Sequence, residues 1–133
     1  MNRKEILNMP AGREMDLLVI EEVLKWKFRY STLFFNEGAL DHFVDDKGDS
    51  RILGFSPSTD ISAAWDVVEK MREIDHYICP QIYWDDQDGL EPGCWVAEFN
   101  RYAKKINDYR HFEAVANTAP LAICRAALLT VCE

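Results

Sequence analysis

The stretch Asn117–Arg125, NTAPLAICR, opens the last helix of the chain and settles much of its architecture. Thr118 is a helix-capping residue, and Pro120 suits the first helical turn, where its missing N–H costs nothing. The run that follows, Pro120–Cys132, is apolar nearly all round: Leu121, Ile123, Cys124, Ala126, Ala127, Leu128, Leu129 and Val131, interrupted by Arg125 and Thr130. A surface helix shows one apolar stripe, so a helix apolar on every side must be covered on more than one. The expectation is a core helix or an oligomer interface.

Met9–Asp16, MPAGREMD, marks a second helix start near the other end. Arg3–Asn8 forms a short helical turn that breaks at Pro10-Ala11-Gly12. Beyond it Met15, Leu18, Val19, the Glu22-Val23 pair and Trp26 recur at three- and four-residue steps, which predicts a helix from about Ala11 to Lys25. Glu14, Asp16 and Glu21 fall early or opposite, and early acids complement the helix dipole. Ser56-Pro57-Ser58-Thr59-Asp60 precedes another stripe, Ile61, Ala64, Trp65, Val68 and Met71. That helix should end near Glu73 or Ile74, with Thr59 as its cap and Ser62 in place of the Glu of a full capping box.

The strands are read from alternation. Tyr77–Trp84 is β-branched and aromatic, with Pro80 confining it to an edge or a bulge. Asp85–Gly93 is rich in turn residues and reads as a hairpin connection. Cys94–Tyr102 alternates, placing Trp95, Ala97 and Phe99 on one side and Val96, Glu98 and Asn100 on the other. Ile106–Val115 is a candidate third strand. Phe28–Phe55 is irregular, with short strands expected at His42–Val44 and Arg51–Phe55 around an Asp45–Asp49 turn, and Tyr30–Gly38 open to loop or strand. This order describes one α+β domain over residues 1–133, with helices packed on an antiparallel sheet.

Composition narrows the function classes. The chain has 133 residues, long enough for a real core, with 48% hydrophobic and 29% charged residues. Lys+Arg of 15 against Asp+Glu of 23 gives a net charge of −8, which disfavours nucleic-acid binding through neutralised phosphates. No apolar run reaches the roughly 18 residues of a membrane span. The N-terminus has charge but no apolar secretory core, so a cytoplasmic location is expected. Cys79, Cys94, Cys124 and Cys132 lack paired CxxC spacing and read as buried free thiols of a reducing compartment.

Catalytic signatures are sparse. Asp85-Asp86-Gln87-Asp88-Gly89 misses the calcium-loop spacing and is better explained as a turn. His42, His76 and His111 are scattered, so no metal centre is expected, although Asp75-His76 resembles a fragment of a metal-dependent hydrolase. No nucleophile elbow, phosphate loop or dinucleotide fingerprint is present. The aromatic strands are more suggestive. Tyr83, Trp84, Trp95, Phe99 and Tyr102, beside Arg101 and Lys104, could stack a base and neutralise a phosphate, whereas half of these rings would pack on helices in any sheet of this size.

Three blocks carry a family resemblance. They are Ala11–Val19 leading to Trp26, Ser58–Lys70, and Thr118–Leu128, in that order over about a third of the chain. On them the chain resembles the phage ABA sandwich domain family; Phe28–Phe55 and Asp75–Val115 look divergent or enlarged. The resemblance implies an α-β-α layered sandwich, with an antiparallel sheet of about three to five strands flanked by helices, and action inside a bacterial host. It supplies no functional residues. The leading expectation is a non-catalytic, homo-oligomeric protein without cofactor that sequesters a small nucleotide-like ligand, such as a nucleotide-derived immune signal. The alternatives are a protein that binds and inhibits a host protein, and a small metal-dependent hydrolase.

Overall fold

The computed structural model describes residues 1–29, 42–44, 50–52, 54–86, 93–103 and 107–132. Helix α1 (Arg3–Asn8) is closed by a capping box in which Asn2 accepts from the Glu5 N–H and Glu5 accepts from the Asn2 N–H. Helix α2 (Arg13–Leu18) continues without a break into a π-helical segment, Val19–Leu24. Its buried residues fall in pairs, Met15-Asp16, Val19-Ile20 and Val23-Leu24. Four residues overshoot one α-helical turn by about 40°, so a strictly α-helical path would rotate these pairs off the core. The wider π turn undershoots instead, and bringing it in for the second half keeps all three pairs facing inward. The segment ends at Lys25 in the left-handed region (φ 60°).

Helix α3 (Ile61–Ile74) is capped by Asp60, whose side chain accepts from the Ser62 N–H at 3.0 Å. The expected cap, Thr59, lies one residue too early and instead contacts the Ser56 carbonyl. The buried stripe is Ala63, Ala64, Val67, Val68 and Met71, while Ile61 and Trp65 are about half exposed, at 51% and 52%. The helix is thus rotated from the expected stripe toward its small residues, which allow it to approach the last helix closely.

Strands β1 (Lys27–Arg29), β2 (His42–Val44) and β3 (Ser50–Ile52) form a small antiparallel sheet in that order. The expected Asp45–Asp49 turn and Tyr30–Gly38 lie outside the described residues. The larger sheet has the order β4 (Ile78–Asp85), β5 (Cys94–Ala103), β6 (Asp108–Ala116), all antiparallel. Pro80 therefore sits on an edge strand, where it withholds no ladder hydrogen bond from a third strand. In register, Pro80, Phe99 and Phe112 form one row, with Ile82, Ala97 and Ala114 beside it. These inward residues meet helix α4 (Ala119–Cys132).

Helix α4 is central. It lies against β5 and β6 and against α1, α3 and the π segment, and eight of its residues are buried. Leu128 and Leu129 have no exposed surface, so of the two expected roles it takes that of core helix. Its one arginine is used structurally. Arg125 donates to the Met9 carbonyl through Nε (3.2 Å) and Nη2 (2.8 Å), and to the Val115 carbonyl through Nη1 (2.9 Å). It thereby ties the α1–α2 connection and the end of β6 to the same helix. The fold is α+β, with helices flanking a three-stranded antiparallel sheet. Among the described residues no helix is long and apolar enough to cross a membrane.

Candidate functional site

Two of the helix-opening blocks meet at a built polar junction. The Gly12 N–H donates to Ser58 Oγ (2.9 Å), Ser58 Oγ donates back to the Gly12 carbonyl (3.3 Å), and the Ser58 N–H donates to Asp16 Oδ1 (2.8 Å). Asp16 and Ser58 are both buried, so Asp16 faces inward rather than serving only as an exposed early acid. A buried carboxylate is tolerated where it accepts hydrogen bonds, and the Ser58 amide provides one. Gly12 reaches this junction with φ 146° and ψ −169°, a conformation nearly restricted to glycine.

The junction forms the wall of a cleft of about 250 Å³ between α2 and the Phe55–Thr59 segment. Leu17, Ile20 and Phe55 give it apolar surface, Ser56 and Thr59 line it beside them, and Arg13 stands at its edge. Phe55 is held by Trp26, with ring centroids 4.9 Å apart and planes tilted by 50°. Arg13 is exposed and has no ion-pair partner among the described residues. The cleft mixes polar and apolar lining, the Asp16 carboxylate included, and its volume falls just below the roughly 300–1,000 Å³ usual for small-ligand sites.

The residues singled out on the strands do not converge. Phe99 is fully buried beneath α4 and cannot touch a ligand. Arg101 points to the end of α3, its Nε 2.5 Å from Asp75 Oδ2. Trp84 and Trp95 are cross-strand partners packed edge to face, with centroids 5.7 Å apart. Tyr83 and Tyr102 lie on the opposite, outer face of the sheet, each 39% exposed. Lys104 lies outside the described residues. The alternation of β5 was legible, but its consequence is that one strand sends these side chains to two faces. The hydrolase fragment is likewise dispersed: Asp75 accepts from the Tyr77 N–H (2.9 Å) as well as pairing with Arg101, and His76 is exposed.

The thiols also differ from expectation. All four cysteines are free, but only Cys124 is buried, and Cys79 is exposed on β4. Burial, reinforced by the Asp16 carboxylate, pushes the Cys124 thiol far up from its ordinary range.

The outer face carries a cluster that sequence reasoning missed. Glu98 on β5 stands directly opposite Glu113 on β6, and His111 lies one position along, opposite Asn100. The ligand atoms of Glu98, His111 and Glu113 fall within 4.8 Å of one another, making them a group that could hold a metal ion. His111 read as a lone strand histidine because only the β5–β6 register brings it to the two acids.

A model of the phage ABA sandwich domain family matches residues 17–128. No curated protein matches the chain, and no solved structure does.

Proposed function

The chain belongs to the phage ABA sandwich domain family, and we propose that it acts as a non-catalytic binding protein that sequesters a small nucleotide-derived host signal. The observation that carries this reading is the α2 cleft. Arg13 offers a cation for an anionic group, Phe55 an apolar ring face, and Ser56 and Thr59 hydroxyl groups, above buried hydrogen bonds that fix the wall in place. Its volume accommodates one ring system with an attached anionic group, so a larger nucleotide would seat one such unit there and extend beyond the cleft. The site is moved by this proposal from the strands to the helix-opening blocks.

The test is retention. The purified chain is incubated with 3′,5′-cyclic AMP, cyclic di-AMP or ADP-ribose, freed of excess ligand and heated. Sequestration returns intact ligand from the wild type and little or none from Arg13→Ala, which should fold normally because Arg13 is exposed. Return of cleaved products would favour the hydrolase, and retention of none of the three would sink the nucleotide reading.

A second reading, inhibition of a host protein, is favoured by the exposed aromatics on edge strand β4 and in the turn just before it. Tyr77 and Trp84 are 73% and 48% exposed, and Tyr83 adjoins them. Exposed aromatic groups of this kind are over-represented at protein interfaces. Capture of a host protein that is lost in Trp84→Ala but kept in Arg13→Ala would support it.

A further inference from the structure

We propose that Glu98, His111 and Glu113 form a binding site for a first-row divalent cation on the outer face of the larger sheet. The site is independent of the α2 cleft. Its starting point is a cross-strand pair that should not be there. Glu98 and Glu113 are directly opposed on β5 and β6, and like charges in that position destabilise a sheet. Neither is fully exposed, so solvent screens them less than it would two charges on the rim. A positive charge between them would relieve that repulsion.

His111 is placed to share that role and oriented to show what it requires. Its Nε2 is 3.1 Å from Glu113 Oε2 and 3.7 Å from Glu98 Oε1. Its Nδ1 contacts Asn100 Oδ1 across the β5–β6 pair. The Asn100 amide, with its oxygen toward the ring, accepts from Nδ1–H. With Nδ1 turned to that oxygen, Nε2 faces the two carboxylates, so one imidazole nitrogen and two carboxylates border a common point where a cation could be held. This is the arrangement of a metal-binding histidine, whose second nitrogen donates to an oxygen acceptor that fixes the tautomer.

The spacing agrees. Two donors each about 2.1 Å from a zinc-type ion, at tetrahedral or octahedral angles, lie about 3.0–3.4 Å apart. The 3.1 Å pair already meets this, and the 3.7 Å pair closes by a small side-chain movement. Glu98 is itself held, since Tyr83 donates to its Oε1 at 3.2 Å. One imidazole and two carboxylates suit Mn²⁺ through Zn²⁺ better than a soft ion preferring thiolates. With three protein ligands, further coordination positions would remain for water or for an anionic oxygen donor.

The test uses Mn²⁺ and Zn²⁺ with the full chain. Titration calorimetry should give one ion per chain, and Mn²⁺ should broaden the NMR signals of Glu98, Asn100, His111 and Glu113 first. Glu98→Gln, Glu113→Gln and His111→Gln should each weaken binding by about tenfold or more, and Asn100→Leu by about tenfold, with circular dichroism unchanged. A Cys79→Ser, Cys94→Ser double variant should bind as the wild type does, because no thiolate takes part. Absence of stoichiometric binding of either ion would overturn the proposal. So would binding that survives Glu98→Gln and His111→Gln, or NMR showing His111 protonated on both nitrogens at neutral pH in the presence of excess metal. The last result would mean that a proton supplies the positive charge. Since this site and the α2 cleft share no residues, either can fail without the other.

Discussion

Gly12 holds a backbone conformation in which a side chain is strained, although open space surrounds the position where a Cβ would stand. The strain of Gly12→Ala is therefore conformational rather than a clash. It should cost about 1–3 kcal/mol of stability, measured by urea unfolding, and should also loosen the junction with Ser58. Cys124 makes a second prediction. Its thiol is buried and its ionisation is opposed by burial and by Asp16, so the reactive thiolate is scarce throughout the neutral range. A thiol-reactive dye added to the native protein at pH 8 should label exposed Cys79 quickly and Cys124 only on unfolding. Equal labelling rates would contradict the placement of both. At this scale the sequence was partly legible: capping residues and the turn proline could be seen, and Asp60 rather than Thr59 as cap is a one-residue offset set by local hydrogen bonds, whereas the inward turn of Asp16 depends on a distant segment. Nothing local to Asp16 announces that Ser58 will come within 2.8 Å of it.

Elements were legible where one periodicity ran long. The last helix, the third helix and the alternating strand Cys94–Ala103 all stand where their patterns place them. The rotation of α3 away from Ile61 and Trp65 was not legible, because hydrophobicity alone does not reveal that Ala63 and Val67 are buried instead. The same limit misplaced Phe99, whose aromatic character fits both a ligand platform and a core. Fully buried in the row Pro80–Phe99–Phe112, it is core. Phe99→Ala should lower stability by about 3–5 kcal/mol in chemical denaturation, with no selective effect on ligand retention. Leu128→Asp should likewise give unfolded or insoluble material rather than a soluble, folded chain, since Leu128 is fully buried in the core cluster and a carboxylate there would be desolvated.

For the whole molecule, the three blocks that carry the family likeness are joined by hydrogen bonds. Gly12 and Asp16 meet Ser58, and Arg125 of the third block meets Met9 just before the first. Blocks far apart in sequence are thus near one another in space, and the first two contribute residues to the α2 cleft. The sequence showed these blocks as helix starts. It did not show that two of them form a cleft, since that needs the 46-residue separation between Gly12 and Ser58 to be closed by folding. The same holds for Glu98, His111 and Glu113, whose residue types were visible but whose register was not. The net charge of −8 makes an arginine at a cleft, with no ion-pair partner among the described residues, more telling than it would be on a basic surface. The most direct measurement is NMR mapping of ¹⁵N-labelled protein titrated with 3′,5′-cyclic AMP, cyclic di-AMP and ADP-ribose. At least one of them should perturb amide signals concentrated at Gly12, Arg13, Leu17 and Phe55–Thr59, and Arg13→Ala should remove the effect. Perturbations confined to Tyr83, Trp84 and Trp95 on the strands, with the α2 signals unmoved, would contradict this site.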